Sequence, residues 1–314
     1  MTTETSQTVL VAPLNWGLGH ATRCVPIIQK YLKAGQHVII AADGDALRWL
    51  QGEFPELKII AFPGFMIHYS PSGSQLFAMI RQVPKIIAGT IKEHRQLKKL
   101  IREENIQMVI SDNRFGLWNK SVKSVYITHQ LLIRAPYRWM EPLLWFCHRW
   151  IITRYDECWI PDIEGDGNLS GELSHKYPLP RNARFIGWLS RFPVKERVQV
   201  KKNYTNLCLL SGPEPHRTLF EQLMIERFKD TSASTLIVSG QPGSNPQPRS
   251  IGSIDVVSNL SSSELQSHLL ETPHIFCRSG YSTLMDLRVL QRNATFFPTP
   301  GQPEQEYLAT LHGK

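Results

Sequence analysis

The chain has 314 residues, 42% of them hydrophobic and 20% charged, with a formal net charge of +8. That balance excludes a disordered chain, and the length allows one large or two ordinary domains with proper cores. No apolar run reaches the ~18–20 residues of a bilayer span, and the polar start MTTETSQ is no signal peptide.

In chain order, Thr8–Leu14 reads as a strand, Ala21–Lys33 as an amphipathic helix stopped by Ala34-Gly35, and His37–Ala42 as a second strand. Asp45 is the expected N-cap of a helix through Leu50, and Leu57–Phe62 a third strand. A long helix over Ser74–Glu103 is expected to break near Pro84. Met108–Ser111 and Ser124–Thr128 are short strands, Glu141–Thr153 an aromatic-rich helix, and Glu157–Ile160 and Arg184–Ile186 close this half. Residues 191–206 are basic and polar, with Pro193, and read as a linker. The pattern restarts with strands Leu207–Leu210, Thr235–Val238, Asp255–Val257 and His274–Cys277, interleaved with helices Thr218–Phe228 and Ser263–Leu270. Gln241–Ser250, with three prolines, reads as a surface loop. Helix Leu284–Gln291, strand Ala294–Pro298 and a helix from about Glu304 follow, the last running into His312-Gly313-Lys314 with no closing element. The alternation predicts an α/β protein of two doubly wound Rossmann-like domains, 1–190 and 207–314, facing across a cleft, the second short enough to be truncated.

The segment His274–Leu308 is the most informative. A strand passes through Ser279-Gly280-Tyr281-Ser282-Thr283 straight into a helix, where free backbone N–H groups and the positive end of the helix dipole form an anion site. Asp286, one turn in, is placed to accept from a sugar diol, and Gln305 and Glu306 offer a second polar cluster. Diphosphate, ribose and a further sugar together point to a nucleotide-sugar site.

The first loop, Asn15–Thr22, follows the first strand, and its Gly17 and Gly19 let a ligand approach the backbone. His20 at the helix mouth would have its charged form disfavoured by the dipole, leaving an imidazole able to accept a proton. A dinucleotide fingerprint with Asp43 on ribose is the rival, weakened by Thr22 where a third glycine belongs. Asp43-Gly44-Asp45 also has the form of a metal-binding DxD, but one Asp serving as N-cap already explains it, so no metal is expected. Asp112, Asn113 and Arg114 follow one strand and His129-Gln130 another, which would set them on the same rim as His20. Asp112 could orient His20 or the attacking hydroxyl, and His129 could bind acceptor. Ser211-Gly212-Pro213-Glu214-Pro215 suits the edge of the same diphosphate, and Leu260 joins the donor set.

The five cysteines occur singly without CxxC spacing and read as reduced core residues of a cytoplasmic protein. Residues 1–191 hold 23 Lys and Arg against 16 Asp and Glu, so most of the positive excess lies there and suits an anionic partner. Trp139, Leu143, Trp145, Phe146 and Trp150 interleave with Arg138, His148, Arg149 and Arg154. This pattern fits a helix lying on a membrane surface, or one packed on the sheet with its arginines reaching out.

Together these residues resemble the family-28 glycosyltransferases of GT-B fold, which include the lipid II-forming N-acetylglucosaminyltransferase and the monogalactosyldiacylglycerol synthases. The similarity is most specific from Cys277 to Tyr307, in Arg278-Ser279-Gly280, Thr283, Asp286, Phe296-Phe297-Pro298 and Gln305-Glu306. The resemblance implies that Arg278 belongs to the donor site, that the Ser282 and Thr283 amides hold the diphosphate, Asp286 the ribose, and Gln305-Glu306 the sugar. The Gly17–His20 loop is similar to the family's glycine-histidine loop, and His129-Gln130 stands where the family has a His-Glu pair. Four departures matter: Asp286 for Glu, Glu306 for a second Gln, Pro213 and Pro215 in the phosphate loop, and no counterpart of the C-terminal helix that packs back onto the first domain. The expected activity is inverting, metal-independent transfer from a UDP-sugar, with no cofactor, to a hydroxyl of a lipid-linked or other acceptor. His20 would be the base and Asp112 its partner, with Asn113, Arg114, His129 and Gln130 on the acceptor. No nucleic acid is expected, and the protein would lie in the cytoplasm or on the inner face of a membrane. A non-catalytic binding subunit, a UDP-sugar epimerase using Asp112 and Glu214, and an NAD-type oxidoreductase are the alternatives.

Overall fold

The computed structural model describes residues 6–64, 75–135, 137–192, 202–242 and 248–313, without the side chains of residues 75–81. The first five residues, Ser74, most of the expected linker (193–201), the middle of the expected proline loop (243–247) and Lys314 lie outside them.

The first domain follows the order β1 (Thr8–Pro13), α1 (Leu18–Lys33), β2 (His37–Ala42), α2 (Gly44–Glu53), β3 (Lys58–Ala61), α3 (Gln75–Glu103), β4 (Met108–Asp112), β5 (Lys123–Ile127), α4 (Glu141–Ile152), β6 (Glu157–Ile160), α5 (Glu172–His175) and β7 (Ala183–Phe185). Its sheet is parallel, in the order β3-β2-β1-β4-β5-β6-β7. The order reverses between β1 and β4, so a crevice opens at their C-terminal ends, the usual ligand position in a doubly wound sheet. Leu10, Val11, Val109 and Ile110 are fully buried because helices cover both faces, and the strands therefore read as unbroken apolar runs.

The second domain is β8 (Asn206–Leu209), α6 (His216–Phe228), β9 (Thr235–Val238), β10 (Arg249–Ile251), β11 (Ile254–Val257), α7 (Ser262–Glu271), β12 (His274–Cys277), α8 (Tyr281–Val289), β13 (Thr295–Phe296) and α9 (Pro303–His312). Its sheet runs β10-β11-β9-β8-β12-β13, parallel except for the edge pair β10–β11. Here the order reverses between β8 and β12. The two crevices face each other.

An apolar cluster joins the domains: Leu169 and Leu173 of the first pack with Tyr281, Leu284, Met285 and Leu308 of the second. The Tyr307 hydroxyl accepts from Glu172 N–H at 2.7 Å, and Arg134 lies 4.2 Å over the Tyr307 ring. It is thus α9 that packs onto the first domain.

Three elements differ from expectation. α3 is continuous through Pro84, because losing one N–H does not stop a helix that propagates on both sides. Asp43, not Asp45, is the N-cap residue of α2, in extended conformation; Asp45 sits in the first turn and pairs with Arg48. β10 occupies the end of the expected proline loop, and its three residues are all exposed, so no apolar alternation marks it.

Candidate active site

The loop between β1 and α1 turns at Gly17, where φ is +109°, and α1 begins without a side-chain cap. Its first-turn N–H groups have no partners within the helix, and the positive end of its dipole lies beside His20. The His20 Nδ1 is 2.9 Å from Oδ1 of Asp112, at the end of β4. Asp112 is fully buried and is gripped from the other side by Arg23, one turn along α1. Arg23 Nε donates to Oδ2 at 2.5 Å, and Nη2 donates to Oδ1. His20 Nδ1 lies between this carboxylate, which can only accept, and Arg23 Nη2 at 3.0 Å, which can only donate; the shorter contact is to the carboxylate, which assigns the proton of the neutral ring to Nδ1 and leaves Nε2 with a lone pair. That nitrogen has no bond to any described residue. Burial and then Arg23 lower the His20 pKa, outweighing the opposite pull of Asp112. Burial alone would raise Asp112, but Arg23 and His20 hold its carboxyl well below the usual range.

The network continues across the cleft. Arg23 Nη1 lies 2.9 Å from His129 Nδ1, after β5. A guanidinium only donates, which puts the His129 proton on Nε2, 2.7 Å from Glu304 Oε1 of α9. The His129 ring stacks on Tyr281 with centroids 4.1 Å apart. Burial would raise the Glu304 pKa, yet it is lowered, chiefly by His129. His20, Asp112, Arg23, His129 and Glu304 therefore form one chain from the first domain to the second.

On the second domain α8 starts at Gly280 with no side-chain cap, so its dipole and amides point toward α1. The Ser282 hydroxyl donates to Gly19 O at 2.8 Å, which sets the two helix starts against each other. Gly17 faces Gly212, whose φ is +99°. A Cβ on either Gly212 or Gly280 would meet nothing within 4 Å, so both turns border open space. Ser211 and Thr283 are half-buried at the same edge, whereas Leu260 packs at the margin of the second core.

Several of the expected site residues are engaged with partners inside the molecule. Arg278 does not face a donor: it donates to the carbonyls of Phe297, Pro298 and His216 and lies over Phe220. Ser279 is fully buried and donates to Gln305 O. Asp286 accepts from Ser190 at 2.6 Å and lies 3.7 Å from Arg191, where the first domain passes into the segment joining the two. Gln305 accepts from Thr299 N–H at 2.8 Å, and the exposed Glu306 from Gly301 N–H at 2.9 Å. Both are used to shape their own turn. Arg114 is fully buried against Glu93 and Phe62 O and cannot reach an acceptor. His129 has both nitrogens and a face engaged, and Asn113 Oδ1 takes the Tyr126 hydroxyl. Gln130 is half-buried beside them. Of the epimerase carboxylates, Asp112 is enclosed and Glu214 pairs with Arg217. Asp43 accepts from Gly64 N–H at 3.1 Å.

Two residues were missed. Arg23 had a legible signal, since His20 and Arg23 are three apart and share a helix face. Glu304 had none beyond its position next to Gln305, because neighbouring helical residues point about 100° apart and the phase of α9 is fixed only by packing.

The whole chain superposes on solved glycosyltransferases. It matches the spinosyn rhamnosyltransferase SpnG with a TM-score of 0.61 at 12% identity, over 97% of this chain and 84% of that one. For the glycotransferase of kitacinnamycin the values are 0.60 and 13%, over 98% and 84%. For SnogD from Streptomyces nogalater they are 0.57 and 13%, again over 98% and 84%. At such identities the likeness is one of fold, and the fold is GT-B. No family model and no curated protein matches the sequence.

Proposed function

We propose that this protein is an inverting glycosyltransferase that moves a hexose or N-acetylhexosamine from a UDP-sugar to an acceptor hydroxyl. The observation that carries the reading is the His20–Asp112 pair, held at the start of α1 directly opposite the uncapped start of α8. His20 Nε2 takes the acceptor proton as the oxygen attacks the anomeric carbon. The departing diphosphate gathers charge at the Ser282 and Thr283 amides, where the dipole of α8 stabilises it. Glu304 and His129 tie the two domains together beside this base. The fold supports this reading, as does a neighbour, UGT89C1 from Arabidopsis thaliana, solved in complex with UDP-L-rhamnose. Affinity with family 28 rests on the sequence from Cys277 to Tyr307.

The acceptor proposed is lipid-linked, reached from the inner surface of a membrane. The support is α4 and the short 3-10 turn before it: Trp139 of the turn and Leu143, Phe146 and Trp150 of the helix are 57–74% exposed, and Arg138, 76% exposed, and Arg154 flank them. No described helix is long and apolar enough to cross a membrane. The proposed division of labour is acceptor on residues 1–190 and donor on 207–314.

His20→Ala tests the chemistry. Transfer from a UDP-sugar panel should fall by about 10²–10⁴-fold, the contribution of a general base, while UDP still raises the melting temperature. EDTA should leave the wild-type rate unchanged. Full transfer by the variant would remove His20 as the base, and stabilisation by NAD but not UDP would restore the oxidoreductase alternative.

A further inference from the structure

We propose that Arg23 is a positioning residue for His20, clamping Asp112 against the ring while cancelling its charge, so that the imidazole stays a free base further into the acid range than a simple His–Asp pair allows. The inference deepens the reading of His20 as the base and rests on it.

A lone buried carboxylate 2.9 Å from an imidazole would draw a proton onto the ring and favour an imidazolium–carboxylate pair. Here both Asp112 oxygens are already spoken for. Arg23 approaches them through Nε and Nη2, with the Arg23 and Asp112 side chains only 1% and 0% exposed. The Arg23–Asp112 unit is neutral and dry, and what reaches His20 is a hydrogen-bond acceptor without a net negative charge. The same guanidinium lies 3.0 Å from His20 Nδ1, so a second cation on the ring would be opposed at contact distance.

Among the described residues, the other titratable groups near the ring have partners of their own. His129, after β5, is tied to Arg23 Nη1 and to Glu304 of α9, whose charge is thereby directed at His129 first. Cys24, also on α1, lies 3.6 Å from Asp112 Oδ2 and is held as a thiol by burial. Burial first, and Arg23 next, lower the His20 pKa against the opposite pull of Asp112.

This arrangement separates two roles a carboxylate usually combines. Asp112 keeps its orienting role, fixing the proton on Nδ1 and aiming Nε2 at the cleft. Its second role, making the imidazole more basic, is suppressed by Arg23. Arg23, a residue that touches neither substrate, therefore moves the acid limb of the transfer reaction downward in addition to the effect of burial.

The test is a titration of the His20 ring by NMR in the full chain labelled at histidine, its signal identified as the one lost in His20→Asn. In the wild type the midpoint should lie below the ordinary histidine value of ~6.5; a midpoint above it overturns the proposal. In Arg23→Gln it should rise by about one pH unit or more, the usual effect of an uncompensated neighbouring charge, and an unchanged or lower midpoint overturns the proposal. If that variant does not fold, Arg23→Lys decides. Retaining the cation should keep the midpoint below ~6.5, and a midpoint above it again overturns the proposal. The acid limb of kcat/KM for transfer should move with the midpoint, which a merely structural arginine would not cause. The titration needs no substrate, so an inactive wild type would count against the proposed function while leaving Arg23 decided.

Discussion

At the scale of single residues, burial and pairing decide which polar side chains can work in the cleft. Arg114, Arg278 and Asp286 looked functional because charged residues near strand ends and helix starts usually are. Each is engaged inside the molecule, Arg114 with the Glu93 carboxylate, Arg278 with backbone carbonyls and Asp286 with the Ser190 hydroxyl. His148 shows the same economy with a measurable consequence. It is 2% exposed, with Nδ1 at 3.3 Å from Leu131 O and Nε2 at 3.1 Å from the Tyr126 hydroxyl, and burial pushes its pKa down to about 4. The unfolded chain therefore binds a proton at a higher pH than the folded one. The stability this gives is fully present above the ordinary histidine value and is lost as pH falls from ~6.5 toward about 4, by roughly 3 kcal/mol. Chemical denaturation across that window should show the loss, and His148→Gln should flatten it. An equally steep dependence in the variant would locate the proton elsewhere, in His20, His94 or His268, whose pKa values are also lowered.

At the scale of elements, α4 divides along its length. Glu141, His148 and Ile152 are its buried residues, and Glu141 pairs with Arg134. The aromatic side faces out, and its edge carries Arg154 stacked on Trp150 at 4.1 Å and near Trp118 at 5.5 Å. The sequence left open whether this helix packs on the sheet or lies on a membrane; the structure shows one face doing the former and the other left bare. Apolar area combined with cations favours anionic lipid over neutral lipid. Vesicles of anionic phospholipid should co-sediment the wild type at low salt, and a Trp139→Ser, Phe146→Ser double variant should lose most of that binding without change in melting temperature. Equal binding of wild type and variant would remove α4 from the membrane proposal. β10 illustrates the opposite limit, since a short exposed edge strand has no period for a sequence to reveal.

At the scale of the whole molecule, the two domains meet through a dry cluster around α8 and α9 and through polar bonds at the cleft. Gly19 is a tight point at the helix starts: a Cβ there would come 2.9 Å from Ser282 Oγ. Gly19→Ala should therefore force the starts of α1 and α8 apart. The expected result is weaker UDP binding and a rise in KM for the donor, measured by calorimetry and steady-state kinetics, with His20 still titrating as in the wild type. Unchanged donor affinity would mean that the contact does not shape the diphosphate position. Ser262, bonded to Glu53 at 3.1 Å, and Arg48, bonded to Pro242 O at 3.2 Å, mark the other rim of the same closure.

The sequence by itself determined the alternation of strands and helices, and with it two doubly wound sheets whose reversal points bring His20, Asp112 and the start of α8 to one crevice. Those features are local, because apolar period, glycine turns and helix starts are written into consecutive residues. Only the tertiary structure decided which polar groups remain available there. Asp286 turned toward Ser190, Gln305 toward Thr299 and His129 toward Glu304, while Arg23 came to share Asp112 with His20. The reason is physical: a hydrogen bond spends a side chain on a partner 92 or 175 positions away in the chain, as in His20–Asp112 and His129–Glu304, and no local pattern encodes that choice.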